Sequence, residues 1–111
     1  MDIRVVGIDF PPPRTARQLT AQQLGETLAP VTGHIDKIEV YLSEFSADGD
    51  GSKSRCSMVV FFHGRLPMLV EEDADSLDRA ISRCVVGVGR AVLSHVRGPG
   101  PGPAGLSALF E

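Results

Sequence analysis

"HIDKIEVYLSEFSADGDGSKSRCSMVVFF", residues 34–62, alternates apolar and polar side chains on both sides of a centre rich in Gly and Asp. In the first limb Ile38, Val40 and Leu42 fall on one side, and Lys37, Glu39, Tyr41 and Ser43 on the other. That period of two marks a strand with one buried face. Met58, Val60 and Phe62 repeat the pattern in the second limb, and "SADGDGSK" supplies the loop residues that fold one limb back on the other. The stretch therefore predicts a long antiparallel hairpin. A turn at His63-Gly64 leads into "RLPMLVEE", where Pro67 has no N–H to donate and so marks an edge strand.

Upstream, "DIRVVGI" (residues 2–8) reads as a short first strand that stops before Pro11, Pro12 and Pro13. Thr15 with Gln18 matches a capping box, and Ala16, Leu19, Leu24 and Leu28 continue at helical spacing until Pro30. A helix between strands one and two implies a right-handed crossover, hence parallel pairing of those strands.

Downstream lies "RAISRCVVGVGRAVLSHVRG", residues 79–98. A helix turns about 100° per residue, so Arg79, Arg83, Arg90 and Arg97 return to within roughly 40° of one another. Leu77, Ile81, Cys84, Val88 and Val92 cluster half a turn away. One face is built for a core and the other is cationic. Asp73 or Asp75 is the expected N-cap, with Glu71, Glu72 and Asp78 beside the positive helix end, and Gly98-Pro99 closes the helix. The expected fold is α+β, in the order β-α-β-β-β-α, with a four-stranded mixed sheet carrying two helices on one face. The domain spans 1–97, and 98–111 reads as a flexible Gly/Pro-rich tail.

No carboxylate follows Asp78 before Glu111, so the arginine stripe has no acidic neighbour along its own helix. Such a stripe suits an external anion. The chain as a whole has net charge −3 and a pI near 5.5. General nucleic-acid affinity comes from neutralised phosphates, so DNA coating is excluded and any RNA contact has to be a local patch. Cys56 and Cys84 sit at apolar positions and read as reduced core thiols. No apolar run approaches the length of a membrane span and no signal peptide opens the chain, so the expected location is the cytoplasm.

Other chemistry is weakly supported. His34, His63 and His95 lack the short spacings of a zinc site, and "DGDG" has serines where a calcium loop needs Asp and Glu. "VVGVGRAV" has Val92 in place of the third glycine of a dinucleotide loop. No pairing of nucleophile and base stands out, so neither an enzyme nor a metal or cofactor is expected. The opposite strand parity carries Val6, Ile8, Tyr41, Val59, Phe61 and Leu69, which predicts an apolar patch on the open sheet face and hence a protein partner such as a second copy of the chain.

The element order and lengths over Met1 to Arg97 resemble the ribosome hibernation-promoting factor and ribosome-associated inhibitor family. The resemblance rests on "MDIRVVGIDF", "HIDKIEVYL", the "HG" turn and "DADSLDRAISR", in which Asp78 and Arg83 match an acidic and a basic family position and Arg90 a further basic one. It implies a non-catalytic protein that binds the small ribosomal subunit and its rRNA in the mRNA and tRNA channel. Translation would be reversibly inhibited, or idle ribosomes preserved. The expected RNA contacts are Arg79, Arg83, Arg90 and Arg97, helped by Arg14, Arg17 and Lys37. The alternative expectation is a homodimerisation or protein-interaction module on the same scaffold, using Val6, Tyr41, Val59, Phe61 and Leu69.

Overall fold

The computed structural model describes residues 1–47, 49 and 51–97. The order is β1 (Asp2–Gly7), α1 (Arg14–Leu28), a 3-10 helix (Ala29–His34), β2 (Ile35–Ala47), β3 (Gly51–Phe62), β4 (Met68–Ala74) and α2 (Leu77–Arg97). The sheet runs β1-β2-β3-β4, with β1 parallel to β2 and the other pairs antiparallel. The expected tail, 98–111, lies outside the described residues.

The hairpin alternation decides the layering. Ile38, Val40, Leu42, Cys56, Met58 and Val60 are fully buried and share one core with Leu24 and Leu28 of α1 and Ile81, Val88 and Val92 of α2. Both helices therefore cover the same sheet face. Each large aliphatic side chain buried there contributes about 1.5–3 kcal/mol of transfer free energy. A register shift between Ile35 and Lys37 lets Ile35 stay in the core while Lys37 pairs with Phe61 on the opposite face.

Several local expectations are corrected. The hairpin arms reach beyond the predicted strand ends, pairing Ser46 with Ser52 and Ala47 with Gly51. Gly49 and Gly51 supply the positive φ angles of 77° and 73° that so short a connection needs. The Thr15–Gln18 capping box does not form: Pro13 stands at the N-cap in extended backbone, no side chain caps the helix, and Thr15 lies inside the first turn. The prolines carry the chain straight into the helix at Arg14, two residues before the Ala16 start that a Thr15 cap implies. Beyond Leu28 the chain tightens into the 3-10 helix instead of stopping, with Pro30 in its first turn, where a missing N–H costs nothing.

At α2 the N-cap is Ser76, whose Oγ accepts the Arg79 backbone N–H at 3.3 Å. Asp73 and Asp75 are not the cap because their carboxylates are occupied elsewhere. Asp73 takes both a 2.7 Å and a 3.1 Å bond from the Arg55 guanidinium, and Asp75 takes one of 2.8 Å from Lys53 Nζ.

Candidate nucleic-acid interface

α2 buries Ala80, Ile81, Cys84, Val88 and Val92, and exposes Arg79, Arg83 and Arg90 on the far side. Arg97 belongs to the same helix, but its side chain is outside the described residues. Val86 lies in the middle of the arginine line and is 53% exposed, an apolar spot that the charge pattern had hidden.

The two helices are parallel. α1 runs from the sheet end where Gly7 pairs with Leu42 back to the start of β2 at Ile35. α2 starts after Ala74, which pairs with Ser54, and reaches the opposite end, where His95 stacks on Phe62 at 4.5 Å between ring centroids. Close approach is possible because two residues of α2 lack a side chain. A Cβ on Gly89 would lie 2.7 Å from Thr27 Cγ2 of α1, and one on Gly87 2.9 Å from Val70 Cγ1 of β4. The glycines in "VVGVGRAV" thus serve helix packing, at a propensity cost of about 1 kcal/mol each. Counting back equally along both helices from the Gly89–Thr27 contact reaches Arg79 on α2 and Arg17 on α1. Arg14 and Arg17 are both exposed, and they stand at the same end of the helix layer as Arg79 and Arg83.

The arginines differ in what already holds them. Arg83 Nη1 donates to the Asp73 backbone carbonyl at 3.0 Å, across to the end of β4. Asp75 feels the charges of Arg79 and Arg83, although the Lys53 hydrogen bond is the main cause that holds its carboxyl below the ordinary range. The stripe therefore does have acidic neighbours, supplied by β4 and its exit instead of by the helix itself. The side chains of Arg14, Arg17 and Arg90 make no hydrogen bond or ion pair among the described residues.

Charge is segregated between the layers. The two helices carry Arg14, Arg17, Arg79, Arg83, Arg90 and Arg97 against only Glu26 and Asp78, in a chain of net charge −3. The open sheet face holds many of the carboxylates, paired with its own cations.

The sequence matches no family model and no curated protein. Among solved structures, the fold is similar to a ribosomal subunit interface protein from Coxiella burnetii, with a TM-score of 0.75 and 14% identity, covering 86% of this chain and 98% of that one. It is also similar to the N-terminal domain of Protein Y from Thermus thermophilus, with a TM-score of 0.66 and 25% identity, covering 83% and 96%. The chain has the fold of the ribosome hibernation-promoting factor family.

Within this hibernation-factor fold Lys37 is separated from the arginines. It lies on the uncovered sheet face, with Nζ 4.7 Å from the centre of the Phe61 ring and 3.6 Å from Glu39 Oε2. The strand parity of Ile38 and Val40 points to the helices, so Lys37 has to point away from them.

The predicted apolar patch is broken as well. Val6, Tyr41, Val59, Phe61 and Leu69 do share the open face, but register places Val6 beside Tyr41, Tyr41 beside Ser57, and Ser57 beside Glu71. Val59 and Leu69 are neighbours, with Glu39 and Arg4 completing their row. Alternation reports the face of a residue and says nothing of its cross-strand partners. Polar contacts bind this face together. Tyr41 Oη donates to Glu39 Oε1 at 3.1 Å, which pushes the phenol pKa up, and Ser57 Oγ donates to Glu71 Oε2 at 2.7 Å. Arg55 lies 4.7 Å over the Phe45 ring while it bridges to Asp73. Such cross-strand pairs add a few tenths to about 1 kcal/mol each and set polar groups among the apolar ones.

The histidines are the reverse case. Dispersed in sequence, His34, His63 and His95 line one recess at the carboxyl end of α2, together with Arg65. Among the described residues no group of His, Cys, Asp and Glu is arranged to hold a metal ion, and no helix is long and apolar enough to cross a membrane. Cys56 and Cys84 are free and buried, the Cys84 thiol donating toward the Cys56 and Val70 carbonyls at 3.5 and 3.3 Å.

Proposed function

We propose that this chain is a ribosome-associated protein that binds the small subunit through its rRNA and, by occupying the mRNA and tRNA channel, reversibly holds the ribosome idle. The observation that carries the reading is the charge segregation: an acidic chain concentrates six arginines on its helix layer on a fold shared with a ribosomal subunit interface protein. Arg90, Arg14 and Arg17, whose side chains have no hydrogen-bond or ion-pair partner among the described residues, form the primary contacts, and Arg79, Arg83 and Arg97 are the further ones. Each guanidinium presents a fork of N–H donors that matches a phosphate's oxygens, and such charge-assisted bonds are roughly twice as strong as neutral ones. Val86, between Arg83 and Arg90, gives a sugar or base an apolar place to rest. The activity needs no covalent chemistry, because a rigid body seated in a channel excludes other occupants by volume alone. Carboxylates on the uncovered sheet face are directed away from the RNA and limit repulsion.

The test is co-sedimentation with purified small subunits. Wild-type protein is expected in the pellet, and Arg83→Glu with Arg90→Glu in the supernatant with a native circular dichroism spectrum. Lys37→Glu is expected to pellet like wild type, being on the other face. Retained binding by the double variant, or loss in Lys37→Glu alone, contradicts the helix-layer interface.

A further inference from the structure

One end of the molecule holds a polar recess that the arginine interface does not use. It has a volume of about 80 Å³ and is lined by Gly33 and His34 before β2, Phe62 at the end of β3, His63 and Arg65 after it, and His95 and Val96 of α2. The His63 backbone N–H donates to the His34 carbonyl at 3.3 Å, which ties two of its walls together. His95 stacks on Phe62 with its ring planes 28° apart, and its Nε2 is buried without a hydrogen-bond partner. No other buried side-chain nitrogen or oxygen among the described residues is left so. A buried orphan of this kind costs about 1–3 kcal/mol unless something in the recess bonds to it.

The surroundings indicate what that something is. The facing titratable groups are His34, His63 and Arg65, and no carboxylate lines the recess. Arg65 Nη1 donates to the His95 carbonyl at 3.1 Å, covering a backbone oxygen whose negative end would otherwise repel an anion. That contact uses one of the five N–H donors of the guanidinium, and the Arg65 side chain makes no other hydrogen bond or ion pair among the described residues. Burial, with the Arg65 charge as the smaller cause, lowers the His95 pKa and so favours the neutral ring. A water needs only about 15 Å³ of such space, so the recess has room for a larger polyatomic group.

We propose that this recess is a phosphate-binding pocket, in which Arg65 and the His34, His63 and His95 imidazoles hold one phosphodiester of the RNA bound along the helix layer. For the source of that phosphate the proposal rests on the function given above; the pocket itself does not. An oxyanion there takes the orphaned Nε2–H, the spare Arg65 donors and the exposed His63 ring. It also stabilises the protonated form of His95, so its binding raises the pH at which that ring titrates.

Histidine side-chain NMR tests this on the full chain, with inorganic phosphate and a short single-stranded RNA as separate probes. Millimolar phosphate is expected to move the His95 and His63 ring resonances and to raise the His95 titration midpoint. Arg65→Gln, a change at an exposed side chain, is expected to weaken the effect by about tenfold or more, the loss of a charged hydrogen bond. The Arg83→Glu, Arg90→Glu protein should respond to phosphate like wild type, so failure of the ribosome interface and failure of the pocket are told apart. RNA moving the same two rings supports the phosphodiester as occupant, whereas a response to inorganic phosphate alone overturns the RNA source. No response to either, or an undiminished response in Arg65→Gln, overturns the pocket and leaves the recess to water.

Discussion

Gly89→Ala separates two accounts of α2 by the sign of its effect. On helix propensity alone, replacing a glycine in the interior of a helix by alanine stabilises by about 1 kcal/mol. The structure opposes this, because the new methyl would lie 2.7 Å from Thr27 Cγ2, well inside contact distance. Relief requires Thr27 to change rotamer or α1 to move off, and overpacking of this sort costs about 1–3 kcal/mol. The net expectation is a loss of about 1 kcal/mol, or roughly 4–8 °C in Tm for a domain of this size. Thr27→Ala removes the obstructing methyl, so in that background Gly89→Ala should instead stabilise by about 1 kcal/mol, and the cycle should show a coupling of about 1–3 kcal/mol. Urea unfolding of the four proteins, with m values compared, reads this directly. Equal stabilisation in both backgrounds would refute the close helix pairing, and with it the placing of Arg17 level with Arg79.

Two further outcomes follow from the ionisable groups. Hydrogen bonds from Arg55 and Lys53 hold the Asp73 and Asp75 carboxyls below their ordinary range, so their contribution is complete above about pH 4 and is lost as pH falls through their folded values. Thermal melts at decreasing pH should show Asp73→Asn with Asp75→Asn losing less stability in acid than wild type; parallel curves would contradict those pairings. The Cys84 thiol beside it, together with burial, pushes the Cys56 thiol well above the ordinary range, and both side chains are shut off from solvent, so neither cysteine should react with iodoacetamide in the native state. Mass spectrometry should find alkylation only after unfolding, and rapid native labelling would contradict the packing of β3 under α2.

Much of this architecture is readable from periodicity, because a buried face imposes its period on the residues that line it. Ile38, Val40 and Leu42 alternate since the sheet has one covered side, and Ile81, Cys84, Val88 and Val92 recur at helical spacing since α2 lies on that side. Periodicity is blind to what sits across a strand or around a corner. It placed Tyr41, Val59, Phe61 and Leu69 on one face correctly but could not show Ser57 and Glu71 between them, which only register determines. It likewise found no acid near the arginines along α2, because Asp75 arrives from the end of β4. His34, His63 and His95 are far apart in the chain, and only the common end of β2, β3 and α2 collects them. Capping failed for a local reason. Thr15 and Ser76 are both competent N-caps, and the prolines before Arg14 remove the opportunity at the first while the cations on β3 leave it open at the second.

The affinity of the protein for small ribosomal subunits across a salt series tests the central claim most directly. With four to six phosphates neutralised, log K should fall against log salt with a slope of about −3 to −5, and Arg90→Ala should reduce its magnitude by about 0.7 to 0.9. A slope near zero, or one that Arg90→Ala leaves unchanged while Lys37→Ala lowers it, would contradict an RNA interface on the helix layer.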